Sequence, residues 1–109
     1  MFAGCSGDDY TTGAITGYVW VNPNNPADVV VTPTNVAPVA GFVPAVGYTV
    51  AVGGQVFTVG ADGRITGMVP TGQNTVVVRD AQGNVVFQFD INIAPGSNNF
   101  PNSHNQGGN

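Results

Sequence analysis

Leucine, lysine and glutamate are all missing from this 109-residue chain, while nineteen of its positions are valine. The three missing types are strong helix formers. Valine loses rotamer freedom against a helical turn but packs well on a pleated strand. This vocabulary predicts an all-β protein. Charge is equally sparse: Arg64, Arg79 and six aspartates make up 7% of the residues, against about 25% in an ordinary soluble domain. A free monomer normally uses charge to stay dissolved and to guard its sheet edges. A chain this poor in charge reads as a part made to be covered by copies of itself, by sugar, or by both.

A chain of 109 residues makes one domain that buries about 65% of its unfolded surface, so no disulfide or metal staple is required. The net charge of −4 without a single lysine argues against nucleic acid, because nothing could neutralise a run of phosphates. It argues equally against an anionic membrane surface. No apolar run approaches about 18 residues, so no membrane span is expected. The lone Cys5 cannot form an internal disulfide. Phe2-Ala3-Gly4-Cys5 has the look of the end of a bacterial lipoprotein signal, but the apolar stretch that should precede it is absent. A buried or interfacial thiol is the preferred reading over lipidation.

Along the chain, residues 1–13 form an arm of small and polar residues, 14–93 the body, and 94–109 an Asn/Gly-rich tail. Ala14 to Val21 alternates strictly, with Ile15, Gly17, Val19 and Val21 on one face and Thr16, Tyr18 and Trp20 on the other. From residue 22 to 44 prolines punctuate short valine runs. Proline cannot donate to a ladder, so edge strands and extended connections are expected there. Strands are expected over Tyr48–Val52, Gln55–Val59, Arg64–Val69 and Asn74–Arg79. Gly53-Gly54, Asp62-Gly63, Pro70-Thr71-Gly72 and the 80–84 stretch supply turn chemistry around them. Val85 to Ile93 has the cleanest period of two: Val85, Phe87, Phe89, Ile91 and Ile93 oppose Val86, Gln88, Asp90 and Asn92. Seven or eight short strands at this spacing predict a single antiparallel β-sandwich of immunoglobulin-like size, with an extended arm and tail.

Ile15-Thr16-Gly17-Tyr18-Val19, the 48–54 segment YTVAVGG, Ala61-Asp62-Gly63-Arg64-Ile65-Thr66-Gly67 and Pro70-Thr71-Gly72 occur in that order. On these residues the chain resembles the carboxypeptidase regulatory-like domain, a prealbumin-like β-sandwich common in bacterial surface and secreted proteins. The resemblance covers roughly residues 14–93. It implies a structural, adhesive or accessory role without catalysis. Two positions depart from the family pattern: Asn74 stands where an aromatic residue usually follows the Pro-x-Gly turn, and the 22–44 stretch is longer than the usual connection.

Catalytic chemistry finds no footing. His104 sits beside Ser103 in the tail, and neighbours on a tail give no held geometry. Asp8-Asp9 reads as a solvated turn, and Asp62 and Asp80 as turn formers. No Asp-x-Asp-x-Asp-Gly run offers a calcium loop, and one histidine with one cysteine cannot assemble a zinc site. No catalytic residue, metal or cofactor is therefore expected. Three functions compete. The first is a structural subunit of an extracellular, pilus- or fibril-like filament, a homopolymer built head-to-tail by β-strand addition. Its assembly residues would be Phe2, Cys5 and Tyr10 of the arm, or Phe100 of the tail. No Asn-x-Ser/Thr acceptor occurs, but Thr11, Thr12, Thr32 and Thr34 have the composition of O-linked glycan sites. The second is an adhesin or carbohydrate-binding accessory domain at a cell surface. It would stack sugar on Tyr18 and Trp20, which serve equally as a subunit interface or as a covered sheet face. The third is a virion decoration protein.

Overall fold

The structure is a computed structural model that describes residues 11–36 and 38–106, all of them strands, turns and connections without a helix. Two sheets pack face to face over one valine-rich core, so the all-β sandwich is what the composition predicts. Ten strands occur among the described residues, more than the seven or eight expected. The excess has two sources, the proline-rich stretch and the tail.

The first sheet is organised around β1 (Thr12–Asn22). Its first half lies between antiparallel β6 (Arg64–Pro70) and parallel β9 (Gly96–Asn99). Its second half lies between β2 (Asn25–Thr32) and the short β3 (Val43–Pro44). β10 (Ser103–Gln106) then pairs with the far side of β2. The second sheet runs β5-β4-β7-β8, from β4 (Thr49–Val52), β5 (Gln55–Thr58), β7 (Gly72–Arg79) and β8 (Val85–Ile93). β8 is therefore its edge.

Alternation places Ile15, Val19, Val29, Val31, Ile65 and Val69 of the first sheet against Val50, Val52, Val76, Val78 and Ile93 of the second, all buried. Valine fits this geometry because its branched Cβ fills the short gap between pleats with little rotamer entropy to lose. Turn chemistry sits where the sequence places it. Gly53 and Gly54 both have positive φ, 56° and 88°, as a two-residue hairpin turn requires. The Asp80 carboxylate accepts the N–H groups of Gln82 and Asn84 at 3.0 and 2.9 Å. These bonds, led by that of Asn84, hold the Asp80 carboxyl below its ordinary value. Asn74, the departure from the family pattern, donates to the carbonyls of Pro70 and Gly72 at 2.8 and 3.1 Å and so ties the β6–β7 turn.

Two expectations need revising. β2 is an interior strand between β1 and β10, not an edge. Its one proline, Pro26, stands near its start, where a missing donor matters least. Between β2 and residue 44, only Val43 and Pro44 form a strand among the described residues, the short β3. The tail, expected to extend from the sandwich, instead supplies β9, β10 and Phe100, which is 1% exposed.

Phe100 fits because β1 carries glycine beneath it. A Cβ added at Gly17 would lie 2.5 Å from the Phe100 ring. Gly67 on β6 makes the same kind of slot for Phe57 from the opposite sheet. Gly13 keeps β1 clear of Ala94, Ile93 and Asn98. Glycine inside a strand costs order and packing, and close approach of another group is what returns it. Phe100→Ala is expected to lower stability by about 3–5 kcal/mol through the cavity it leaves. Gly17→Ala is expected to cost about 1–3 kcal/mol by overpacking, but little in the Phe100→Ala background. A double-mutant cycle from urea denaturation checks that coupling.

Candidate functional site

Two features of the folded chain can act on other molecules: the groove along β1 that the 94–106 segment closes, and the outer face of the same sheet.

The groove begins at the end of β8, where the chain leaves the second sheet through Ala94-Pro95-Gly96 and enters the first as β9. Gly96 takes φ 98°, a conformation that favours glycine. β9 pairs in parallel with Gly13 to Thr16 of β1. The side chain of Asn98 ties this crossing. Its Nδ2 donates to the carbonyls of Ala14 (3.0 Å) and Ala94 (2.8 Å), and its Oδ1 accepts the Ala94 N–H (3.0 Å). The Phe100 N–H then donates to the Thr16 carbonyl at 3.0 Å, which seats the ring over Gly17. Phe100 also meets Phe89 of β8 edge-on, with centroids 6.2 Å apart, and Phe89 lies 5.1 Å from Phe87. The plug is thereby continuous with the inner face of the edge strand.

On the outer face, the register sets His104, Val30, Trp20 and Pro44 in one row across β10, β2, β1 and β3. Trp20 is 5% exposed, and its indole N–H donates to Thr32 Oγ1 at 3.0 Å. Tyr18 is half-buried, its ring centroid 5.4 Å from that of Trp20. Phe42, from the β2–β3 connection, packs edge-on against His104 at 5.6 Å. His104 Nε2 lies 2.6 Å from Asp28 Oδ1, and Asn22 donates to the other carboxylate oxygen at 3.1 Å. The His104 bond, with Asn22 second, holds the Asp28 carboxyl below its ordinary 3.8.

The residues singled out in the sequence fall as follows. Phe2, Cys5 and Tyr10, with Asp8 and Asp9, lie outside the described residues. Phe100 fills the core of its own chain. Tyr18 and Trp20 share the outer face as alternation requires, but Trp20 is sealed and its polar atom satisfied, leaving no bare indole face for a sugar. Thr32 is fully buried with its hydroxyl engaged by Trp20. Thr34, half-buried, donates to Asn99 Oδ1 at 3.1 Å. Thr12 is half-buried at the start of β1, and Thr11 is exposed. Asn98 and Asp28 escaped the sequence reading. Asn98 is one of many asparagines, and nothing local marks it as a tie to a strand 84 residues away.

Among the described residues no three His, Cys or Asp side chains gather as a metal site, and no helix is long and apolar enough to cross a membrane. The chemistry on offer is backbone pairing and apolar packing. Because the Asp28 carboxyl is depressed, its contribution to holding β10 is full above 3.8 and is lost as pH falls through the lower folded value. In His104→Gln the largest cause weakens, so the Asp28 titration midpoint, followed by carboxyl carbon NMR, is expected to move up toward 3.8. Compared with known proteins, the chain matches no protein-family model, no curated protein and no solved structure.

Proposed function

We propose that this chain is a structural subunit of an extracellular filament, a homopolymer whose copies join by β-strand addition. The observation that carries this reading is β8. It is a nine-residue strand at the edge of its sheet. Its inner-face residues Phe87, Phe89 and Ile91 remain only partly buried after folding. A long, apolar edge is a template for another strand, and proteins that stay monomeric usually guard one with lysine, proline or inward charge. β8 has none of these: it holds no proline and no basic residue, and its only charge, Asp90, accepts a hydrogen bond from Thr75 at 3.0 Å; its one irregularity lies at the Val85 end, and from Phe87 to Ile93 the strand is regular. With no lysine anywhere in the sequence, the commonest edge-guarding residue is missing from every strand. A strand contact that does not close on itself propagates as a fibre.

The resemblance to carboxypeptidase regulatory-like sandwiches of bacterial surface proteins agrees with this assignment, and we adopt it as the domain's proposed kinship. The reading includes O-linked glycan on Thr11, the exposed member of the four threonines considered. Sugar there would help keep a polymer with so few charged residues in solution. The sealed indole of Trp20 favours a covered sheet face over a sugar-stacking platform.

Electron microscopy of the native material is expected to show filaments. Gln88→Lys with Asn92→Lys, two charges on the exposed face of β8, should leave the fold intact and slow assembly at least about tenfold, the effect of roughly 1.4 kcal/mol. Unchanged fibre growth in that variant would remove β8 from the contact. Native mass above the 11.1 kDa polypeptide would register the glycan, and a mass equal to it would dismiss the sugar.

A further inference from the structure

We propose that the closing segment, residues 94–106, exchanges between copies: β9 and Phe100 of one molecule fill the β1 groove of the next. This rests on the assembling-subunit reading and adds to the β8 edge a second contact, naming the element donated there and the groove that accepts it.

The groove is built to receive a separate piece of chain. β1 gives up side chains at Gly13 and Gly17 on its inner face: the space at Gly17 is taken by the Phe100 ring, and that at Gly13 by the Ala94 carbonyl, with Ile93 and Asn98 beside it. β9 enters in parallel, the one parallel pairing among the described strands, so it is not the continuation of a hairpin. Its contacts with β1 are the backbone ladder from Gly13 to Thr16, the Phe100–Thr16 bond, the ring over Gly17 and the Asn98–Ala14 bond. An identical segment from a second copy reproduces every one of them. Closed and exchanged forms therefore differ only in the Ala94–Gly96 connector and in the entropy of association.

Asn98 is the latch on that connector. Its bonds to the N–H and carbonyl of Ala94 exist only while the turn is closed, whereas its bond to Ala14 survives exchange. Gly96 supports the closed turn as well, through its φ of 98°. Pro95 pulls the other way. It fixes its own φ and keeps Ala94 in extended conformations, which suits a connector reaching to a neighbour. The groove also adjoins the β8 edge through Phe89, so a donated Phe100 would settle beside the strand already assigned to assembly.

The test uses the full chain in a Cys5→Ser background carrying Ala14→Cys and Ser97→Cys, registered neighbours on β1 and β9. Adjacent strands lie about 4.8 Å apart, within the Cα range of a disulfide, about 4.4–6.8 Å. Assembled material is oxidised and run on a denaturing, non-reducing gel. Exchange predicts a ladder of covalent oligomers. Fibres that yield only internally linked single chains overturn the exchange and leave the filament reading standing. Fibres with no cross-link overturn the β1–β9 pairing itself, and with it this proposal. Material that never assembles and carries only internal links overturns both. Asn98→Ala and Gly96→Ala, each weakening the closed turn, are expected to raise the cross-linked oligomer fraction about tenfold, as loss of one or two hydrogen bonds would. A fraction unchanged in both variants would also overturn the exchange.

Discussion

The seating of Phe100 over Gly17 is the contact on which the architecture turns. β1 touches β2, β3, β6 and β9, so whatever happens along its inner face is felt by the whole first sheet. A glycine in such a strand would ordinarily weaken it. Here it opens the space that lets an aromatic ring from a distant part of the chain reach the centre of the core. The ring carries two strands with it, one on each side of its own position. Gly67 and Phe57 repeat the arrangement across the sandwich. The core is therefore built of many small valines and two aromatic wedges, each matched to an absent side chain.

Much of this is legible in the sequence alone. The alternation of residues 14–21 and 87–93 places the right faces inward, and paired glycines and Asp-Gly mark the turns; at the start of β8 a bulge opposite Val78 and Arg79 breaks the period, turning Val86 onto the core and leaving Val85 51% exposed. Those signals are local: a period of two, or a residue that tolerates positive φ. The role of Phe100 was not legible, because the tail around it has no periodicity and its partner lies far away in sequence. Gly17 could be assigned to the inner face, yet nothing adjacent said which ring would cover it. The covering of Trp20 was likewise hidden, since alternation gives the face and not what lies over it. Proline density misled for β2, where a single proline near the strand's start left the ladder intact.

The outer face shows how a sequence so poor in charge spends what it has. Asp28 is met by His104 and Asn22, and Asp90 by Thr75. Asp62 and Asp80 are met by backbone N–H groups within their own loops. Each of these carboxylates is used locally, to fix a strand position or a turn. Exposed pairs of this kind contribute little to stability. Burial of valine and phenylalanine is left to hold the sheets together.

Chain order gives the plug a temporal meaning. Phe100 follows every other core residue in sequence, so vectorial synthesis delivers β1 through β8 while the cavity above Gly17 is still vacant. Pairing across so long a loop is slow compared with local hairpins. The nascent body must wait in an unfinished state until the ring emerges, with Phe89 and neighbouring valines wet in the meantime. Such an interval favours early encounters with chaperones or with sister chains. The timing of translation thus sets how long the unfinished core stays wet.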